Sequence, residues 1–552
     1  MLPIFRRTLS LIFGLVILIA LSQCGRRGNP TGGPKDETPP VLLRSEPNQG
    51  TTNFDASRIR LYFDEYIKLE KSDEQLIISP PMEYAPELSP LGGTSKYVEV
   101  RIKDTLKPET TYTLNFGQSV VDNNEGNPYN LLTYVFSTGD YLDSLELTGV
   151  VSDAYERSAK SFISVMLYAL DSTYSDSLIY KKPPYYLTNT LDSAVIFQLK
   201  NLKAGAYRLI AIKDEARNNI FNPRADQIGF VADTVMVPSD TTYLLRMFRE
   251  IPAYEAARPS FAASNRILFG YFGGKAPEVE LLTPLPDSVR TLLRPVPGKD
   301  SLNFWFTPME VDSLIFTVNS PEPRVFRDSL GNEESLIVRD TFSIKPTKSD
   351  PDSLLLQWNK RGEVVPIDSL FVSATVPLAA VDSSRFRLVD QDTLPVDFTL
   401  TLDTLKNRVN VNFEKELNRQ YSLEILPGGI TDFFASQNDT INTRWAVGNA
   451  ADYGTLRFTL AGAVTYPVIL ELTNSRNELA RRLIQEEAGE ITFAWLRPDT
   501  YRLRVIFDEN GNGRWDTGNF LERRQPENVL HFPRPIEMRA NWDNREVFTI
   551  RE

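Results

Sequence analysis

Leu106-Lys107-Pro108-Glu109-Thr110-Thr111-Tyr112-Thr113-Leu114 has the form Leu-x-Pro-x-Thr-x-Tyr, and reading it decides the fold. The stretches before it have period two. Ile59, Leu61 and Phe63 alternate with Arg60 and Tyr62, and Val98, Val100 and Ile102 alternate with Glu99, Arg101 and Lys103, the pattern of half-buried strands. After it, Tyr134-Val135-Phe136-Ser137-Thr138-Gly139 closes a run of short strands separated by turns. The whole occupies about 100 residues, the size of one two-sheet sandwich, in which a tyrosine placed after such a corner bonds back to nearby backbone and pins the crossing between sheets.

The corner resembles that of immunoglobulin-like and fibronectin III sandwiches. Residues 41–140 resemble the bacterial Ig-like domains common in lipoproteins of Bacteroidota. A second module spans 145–250. It contains Phe162 to Leu170, expected as an alternating strand, and Leu202-Lys203-Ala204-Gly205-Ala206-Tyr207-Arg208-Leu209, which resembles the penultimate turn and strand of transthyretin-like sandwiches. Gly205 is expected to supply a positive φ in the turn before that strand. Residues 251–350 form a further β module with apolar strands at Ile267 to Phe272 and Leu302 to Phe306 and a tight turn at Gly273-Gly274.

The remaining chain repeats its beginning. Val409, Val411, Tyr421, Asp432, Trp445 and Gly448 stand 309 to 311 residues after Val98, Val100, Tyr112, Asp122, Phe136 and Gly139, and Leu417 lies 311 after Leu106. Leu496-Arg497-Pro498-Asp499-Thr500-Tyr501-Arg502-Leu503 and Asp508 lie 294 residues after the string around Tyr207 and after Asp214. Several anchors at constant offsets mark a duplicated pair of modules. The expectation is an all-β chain of tandem sandwiches, with a second Ig-like sandwich at 351–449 and a second transthyretin-like one at 453–552. Asp-Ser-Leu, begun by Asp143, Asp300, Asp312, Asp328, Asp352 and Asp368, reads as punctuation: Asp and Ser favour the turn, and Leu opens a strand.

At the other end, Arg6 and Arg7 precede an apolar run from Leu11 to Leu21. That is too short for a bilayer core, which needs about 20 residues, and suits a signal-peptide core of about 7–15. Leu21-Ser22-Gln23-Cys24 resembles a bacterial lipobox, with Gln23 where a small residue is usual. The resemblance implies cleavage after residue 23, lipid on Cys24 and a Gly/Pro-rich tether over 24–40. The implied site is the outer membrane. Gly25-Arg26-Arg27 lacks an acidic export-like cluster, which favours the periplasmic leaflet over the cell surface.

Composition narrows the chemistry. One His (His531) and one Cys in 552 residues cannot build histidine triads, thiol nucleophiles or ordinary zinc sites. The 72 Asp and Glu leave carboxylate catalysis such as glycoside hydrolysis open, but no pair is singled out by spacing. A net charge of −12 argues against nucleic acid and anionic lipid as partners. His531, with no carboxylate or second His nearby in sequence, reads as a packed or surface histidine.

The one constellation with metal chemistry follows the strand Tyr501 to Phe507. In Asp508-Glu509-Asn510-Gly511-Asn512-Gly513-Arg514-Trp515-Asp516, the side-chain oxygens of Asp508, Asn510, Asn512 and Asp516 and the carbonyl of Arg514 imitate the front of a Ca²⁺ loop. Position 12 is Asn519 rather than the expected Glu. The alternative is an Asn/Gly-rich hairpin loop held by its own side chains. The earlier copy, at Asp214, has Ala216 at position 3 and is assigned no metal.

The function these features imply is non-catalytic: a lipid-anchored rod of sandwiches serving as a protein-interaction scaffold, as an accessory of an outer-membrane assembly or secretion machine. The alternative is a glycan-binding or adhesive surface lipoprotein.

Overall fold

The computed structural model describes residues 36–190, 195–309, 311–327 and 333–550. Cys24 and Asp328 lie outside them. Among the described residues the regular structure is nearly all strand, with one four-residue α-helix at Ser72–Gln75 and short 3-10 turns at Asp176–Tyr180, Ser383–Arg385 and Ala450–Asp452, and the chain divides into two compact units on either side of the Ser144–Leu145 junction.

In the first unit, one sheet orders Leu42–Glu46, Arg58–Leu69, Ser95–Arg101 and Glu87–Ser89. The other orders Ile77–Ser79, Thr111–Gly117 and Leu132–Ser137. Alternation does what period two requires: Ile59, Leu61, Val98 and Val100 meet Leu114, Phe116 and Phe136 between the sheets, all fully buried. The Tyr112 hydroxyl accepts the Lys107 N–H at 2.9 Å, and its ring stacks on Phe136 at 5.4 Å.

In the second unit, the strands between 356 and 447 rebuild that plan. Leu356–Trp358, Leu370–Ala374, Arg408–Asn412 and Thr399–Asp403 form one sheet. Gly362–Val364, Ile441–Val447, Gln420–Ile425 and Phe386–Asp390 form the other. Tyr421 takes the N–H of Glu416 at 2.9 Å, five residues back, as Tyr112 does. The carboxylates of Asp122 and Asp432 each gather loop N–H groups, from Glu125, Gly126 and Asn127 in one copy and from Phe434 and Ser436 in the other.

The second and fifth sandwiches are likewise two copies of one topology. Tyr186–Asn189, Ser164–Ala169, Gly205–Lys213 and Gln227–Phe230 face Ile196–Leu202, Leu145–Asp153 and Tyr243–Met247. Leu479–Gln485, Val468–Thr473, Asp499–Phe507 and Val529–His531 face Glu490–Leu496, Gly454–Gly462 and Asp543–Ile550 in the same order. In both, the first and last strands pair in parallel. Tyr207 and Tyr501 donate to the carbonyls of Lys203 and Arg497, each at 3.0 Å and four residues back.

Two local expectations are corrected. Gly205 is the first residue of its strand and has no positive φ; the left-handed residue is Asn201, at φ 56° in a bulge of the preceding strand. Its counterpart Trp495 has φ 59°, so the bulge geometry repeats although the residue does not. The strand expected from Phe162 is Ser164–Ala169, and Val165 to Tyr168 are buried consecutively. Both its faces are covered: Val165 and Leu167 join the sandwich core, while Tyr168 on the other face donates to Lys182 O at 3.1 Å, beside the turn that buries Ile179.

The middle module places Arg266–Phe272 and Ser301–Phe306 at the centre of one sheet, over Glu278–Leu281, Leu314–Asn319 and Arg339–Ile344. Gly273 and Gly274 have φ 105° and 71°, as its turn requires. Strands begin at Leu145, Ser301, Leu314 and Leu370 within their Asp-Ser-Leu triplets, and two residues after Leu354 in another.

Within 145–552 the modules also meet out of sequence order. The second sandwich meets the middle module where Arg224 covers Phe272 at 4.6 Å. The middle module meets the fourth sandwich through Arg290 to Phe433 O (2.7 Å) and Arg266 to Asp352 (2.6 Å). Glu363 of the fourth joins Arg497 of the fifth at 3.6 Å. The fifth then returns to the second.

Candidate functional site

The loop from Asp508 to Asn528 carries both the candidate metal ligands and the contact with the second sandwich. It leaves the central strand Asp499–Phe507, which fixes Asp508 at 2% exposure. The Asp508 oxygens accept the N–H groups of Asn512 (3.0 Å) and Gly513 (2.8 Å). Asn510 Oδ1 takes the Asn512 N–H and Asn512 Oδ1 the Arg514 N–H, while both amide NH₂ groups donate to Asp516 Oδ2. Arg482 donates to Gly513 O. Glu527 completes the loop, accepting Glu509 N–H at 2.9 Å and Asp516 N–H at 2.8 Å. Burial lifts the Glu527 carboxyl above its ordinary range despite these donors.

The sequence-selected residues are therefore brought together: the Asp508, Asn510 and Asn512 oxygens accept loop N–H groups, and the two amide NH₂ groups meet at Asp516 Oδ2. With the NH₂ groups of Asn510 and Asn512 facing Asp516, a calcium ion held here requires both amides to turn over and present their oxygens. Among the described residues, no cluster of three or more His, Cys, Asp or Glu is arranged to hold a metal. The earlier loop is built alike: Asp214 takes Asn219 N–H, and fully buried Asp226 takes Glu215 and Asn222 N–H. Asp226 and Glu527 were not legible as partners, because nothing in sequence marks a carboxylate that closes a loop 12 to 19 residues long.

The far half of the loop docks on the second sandwich. Phe520, 1% exposed, lies edge-on to Phe230 at 5.3 Å, and its N–H donates to the buried Glu250 carboxylate. Burial raises the Glu250 carboxyl above its ordinary value, against the pull of that N–H. Thr517 donates to Arg249 O (2.7 Å), Gln525 to Phe230 O (2.9 Å), and Arg523 pairs with Asp176 at 3.2 Å. Gly518 lies so close to Phe248 that a Cβ would meet its ring at 2.6 Å.

Beside it, Tyr155 packs on Trp515 at 4.9 Å, lies under Arg504 at 3.8 Å and donates to Glu471 at 2.8 Å. Burial first, and the Glu471 bond second, push the Tyr155 hydroxyl up to about 12. Arg157 reaches the carbonyls of Phe532 (3.0 Å) and Pro533 (2.7 Å). His531 is half-buried here; burial and then the Arg504 and Arg157 charges hold its pKa below the ordinary value. It is a packed histidine.

In the first unit, an open cleft of about 350 Å³ is lined by Phe54, Asp55, Ala56, Ser57, Ile102 and Asp104 among others. Its Asp104 oxygens are taken by Glu83 and Thr105 N–H groups.

Residues 36–138 match the family model of the bacterial Ig-like domain, so the first sandwich is Ig-like. The chain as a whole is one of tandem β-sandwiches. No curated protein matches it. Among solved structures it is similar to the S-layer protein rSbsC at 11% identity, covering 86% of this chain and 68% of that one, with a TM-score of 0.15. The Bacillus anthracis TIE protein is matched at 9% identity over 94% of this chain and 76% of that one, TM-score 0.13. The major pilin subunit of Bacillus cereus is matched at 8% identity over 74% and 99%, TM-score 0.14.

Proposed function

We propose that this protein is a non-catalytic envelope scaffold, lipid-anchored through Cys24 at the periplasmic face of the outer membrane, that binds other proteins as an accessory of an assembly or secretion machine. One observation carries the non-catalytic part. The groups best suited to chemistry are spent on the chain's own backbone: Tyr112, Tyr421, Tyr207 and Tyr501 at corners, and Asp122, Asp508, Asp226 and Glu527 on loop N–H groups. A carboxylate saturated by N–H donors is a poor general base or nucleophile. The Cys24 anchor is supported by the sequence pattern alone.

The adhesive alternative needs exposed aromatic faces for sugar stacking. Among the described residues, the aromatic side chains most exposed are Tyr66, Tyr84, Tyr141 and Trp542, while the rest are used mainly in cores and module contacts. That distribution favours protein partners. Affinity purification of the full chain from solubilised membranes tests the choice. A stoichiometric outer-membrane partner is expected; none, together with binding on a glycan array, would replace this reading with the adhesive one.

A further inference from the structure

Because the second and fifth sandwiches share a topology, the paired strand positions of one have counterparts in the other, and the pair acts as its own control. On the outward face of the three-stranded sheet in the second sandwich, Ile196, Val150 and Leu244 stand directly across from one another on adjacent strands. Ile196 is 66% exposed and Leu244 57%. The counterpart row in the fifth sandwich is Glu490, Thr459 and Val547, and Arg457 two residues away ties Glu490 to Asp543. One fold thus carries an ion-paired surface in one copy and an uncharged apolar row in the other. A solvated sheet face has no need of that row.

The row also runs on from an interface already formed. Outward positions past Leu244 on the same strand path are Arg246, which donates to Asn528 Oδ1 at 3.3 Å, and Phe248, which is 1% exposed and lies against Gly518. One end of this face is therefore covered by a sandwich of this same chain, and the other end is exposed among the described residues.

We infer that the exposed end, centred on Ile196, Val150 and Leu244, is where a second copy of this chain docks. The continuity with the Phe248 contact names the kind of occupant, a sandwich of the same sequence. The row is apolar throughout, so it is complementary to itself, as a patch that meets its own copy across a two-fold axis must be. It carries no charge in a chain of net −12, so it is a surface on which two acidic copies approach without facing like charges. Its width is well under the roughly 800 Å² per partner of a standard interface, so the dimer is weak and reversible. None of this depends on the lipid or on a heterologous partner.

The test is sedimentation of the purified full chain in detergent over a concentration series. The wild type should move from monomer to dimer. Leu244→Glu should weaken that dimer about tenfold or more by burying a charge at its centre, while Val547→Glu at the counterpart position should leave it unchanged. Independently, Val150→Cys should give a disulfide-linked dimer under mild oxidation and Thr459→Cys should not. A wild type that stays monomeric at every concentration, or Leu244→Glu and Val547→Glu variants that dimerise alike, would overturn the inference.

Discussion

Replacing Phe520 by Ala should release the fifth sandwich from the second without unfolding either. Phe520, Phe230 and Phe248 belong to neither sandwich core: one core is built on residues such as Leu147, Leu167 and Leu209, the other on Leu456, Leu470 and Leu503. The ring is fully buried and edge-on to Phe230. Truncating a buried Phe costs about 3–5 kcal/mol, of which an aromatic pair supplies about 0.5–1.5. The lower end applies, because the adjoining Glu522 to Arg524 are exposed and the loop can settle into part of the space. About 3 kcal/mol multiplies the opened population by about 100. Trypsin reports that population at Arg523 and Arg524, whose side chains are half exposed but whose backbone is held by the Asn519–Arg524 hydrogen bonds. Where opening and closing are fast, cleavage follows the opened fraction. Phe520→Ala should therefore be cut there about 100-fold faster, with the main unfolding transition nearly unmoved. Cleavage at the wild-type rate would refute the docking energetics, and loss of the whole fold would refute the claim that the contact lies outside the cores.

Tyr112→Phe and Tyr421→Phe should each cost about 1–2 kcal/mol, because each strands a backbone N–H, and hydrogen exchange should speed up at Lys107 and at Glu416 respectively. Glu250 has its carboxyl pKa raised by burial, so the folded state holds its proton more tightly than the unfolded chain. Its contribution is therefore most favourable below the unfolded Glu pKa and is lost as pH rises through the folded one; Glu250→Gln should abolish that part of the pH dependence and stabilise the docking at neutral pH. His531 has the opposite sign: its lowered pKa makes acidification through the ordinary His range destabilising, and His531→Gln should remove that loss in melts between neutral and acid pH. Calcium at millimolar concentration should leave the melting temperature and the protease sensitivity of the Asp508 loop unchanged, since the Asn510 and Asn512 amides present NH₂ groups rather than oxygens to Asp516; a rise in either protection would show that these amides turn over for the ion.

Much of the fold could be read because its determinants are local. The period-two runs at Ile59 and Val98 and the Pro-x-Thr-x-Tyr corner act over a few residues, and repetition at a fixed offset carries them to Val409 and Tyr421. Backbone geometry was less legible. The bulge before Gly205 needs a left-handed residue, yet Asn201 supplies it in one copy and Trp495 in the other, so the obvious glycine pointed to the wrong position. Val165 to Tyr168 lost their alternation because the turn at Asp176–Tyr180, soon after the strand, covers the second face. The return of the fifth sandwich to the second was invisible because its determinants are distant in sequence. Phe520 and Glu250 look like ordinary loop residues until a partner some 270 residues away buries them. The candidate site divided along the same line: the Asp508 to Asp516 oxygens are clustered by local sequence, but what they bind is set by Glu527 and by loop closure.

The proposed anchoring of the sandwich chain to a membrane through Cys24 is tested most directly by the mass of the N-terminal peptide of the protein isolated from its native membrane. The prediction is a mature chain that begins at Cys24, with that residue carrying covalently attached acyl chains. A chain that begins elsewhere, or a Cys24 with a free thiol, would contradict it.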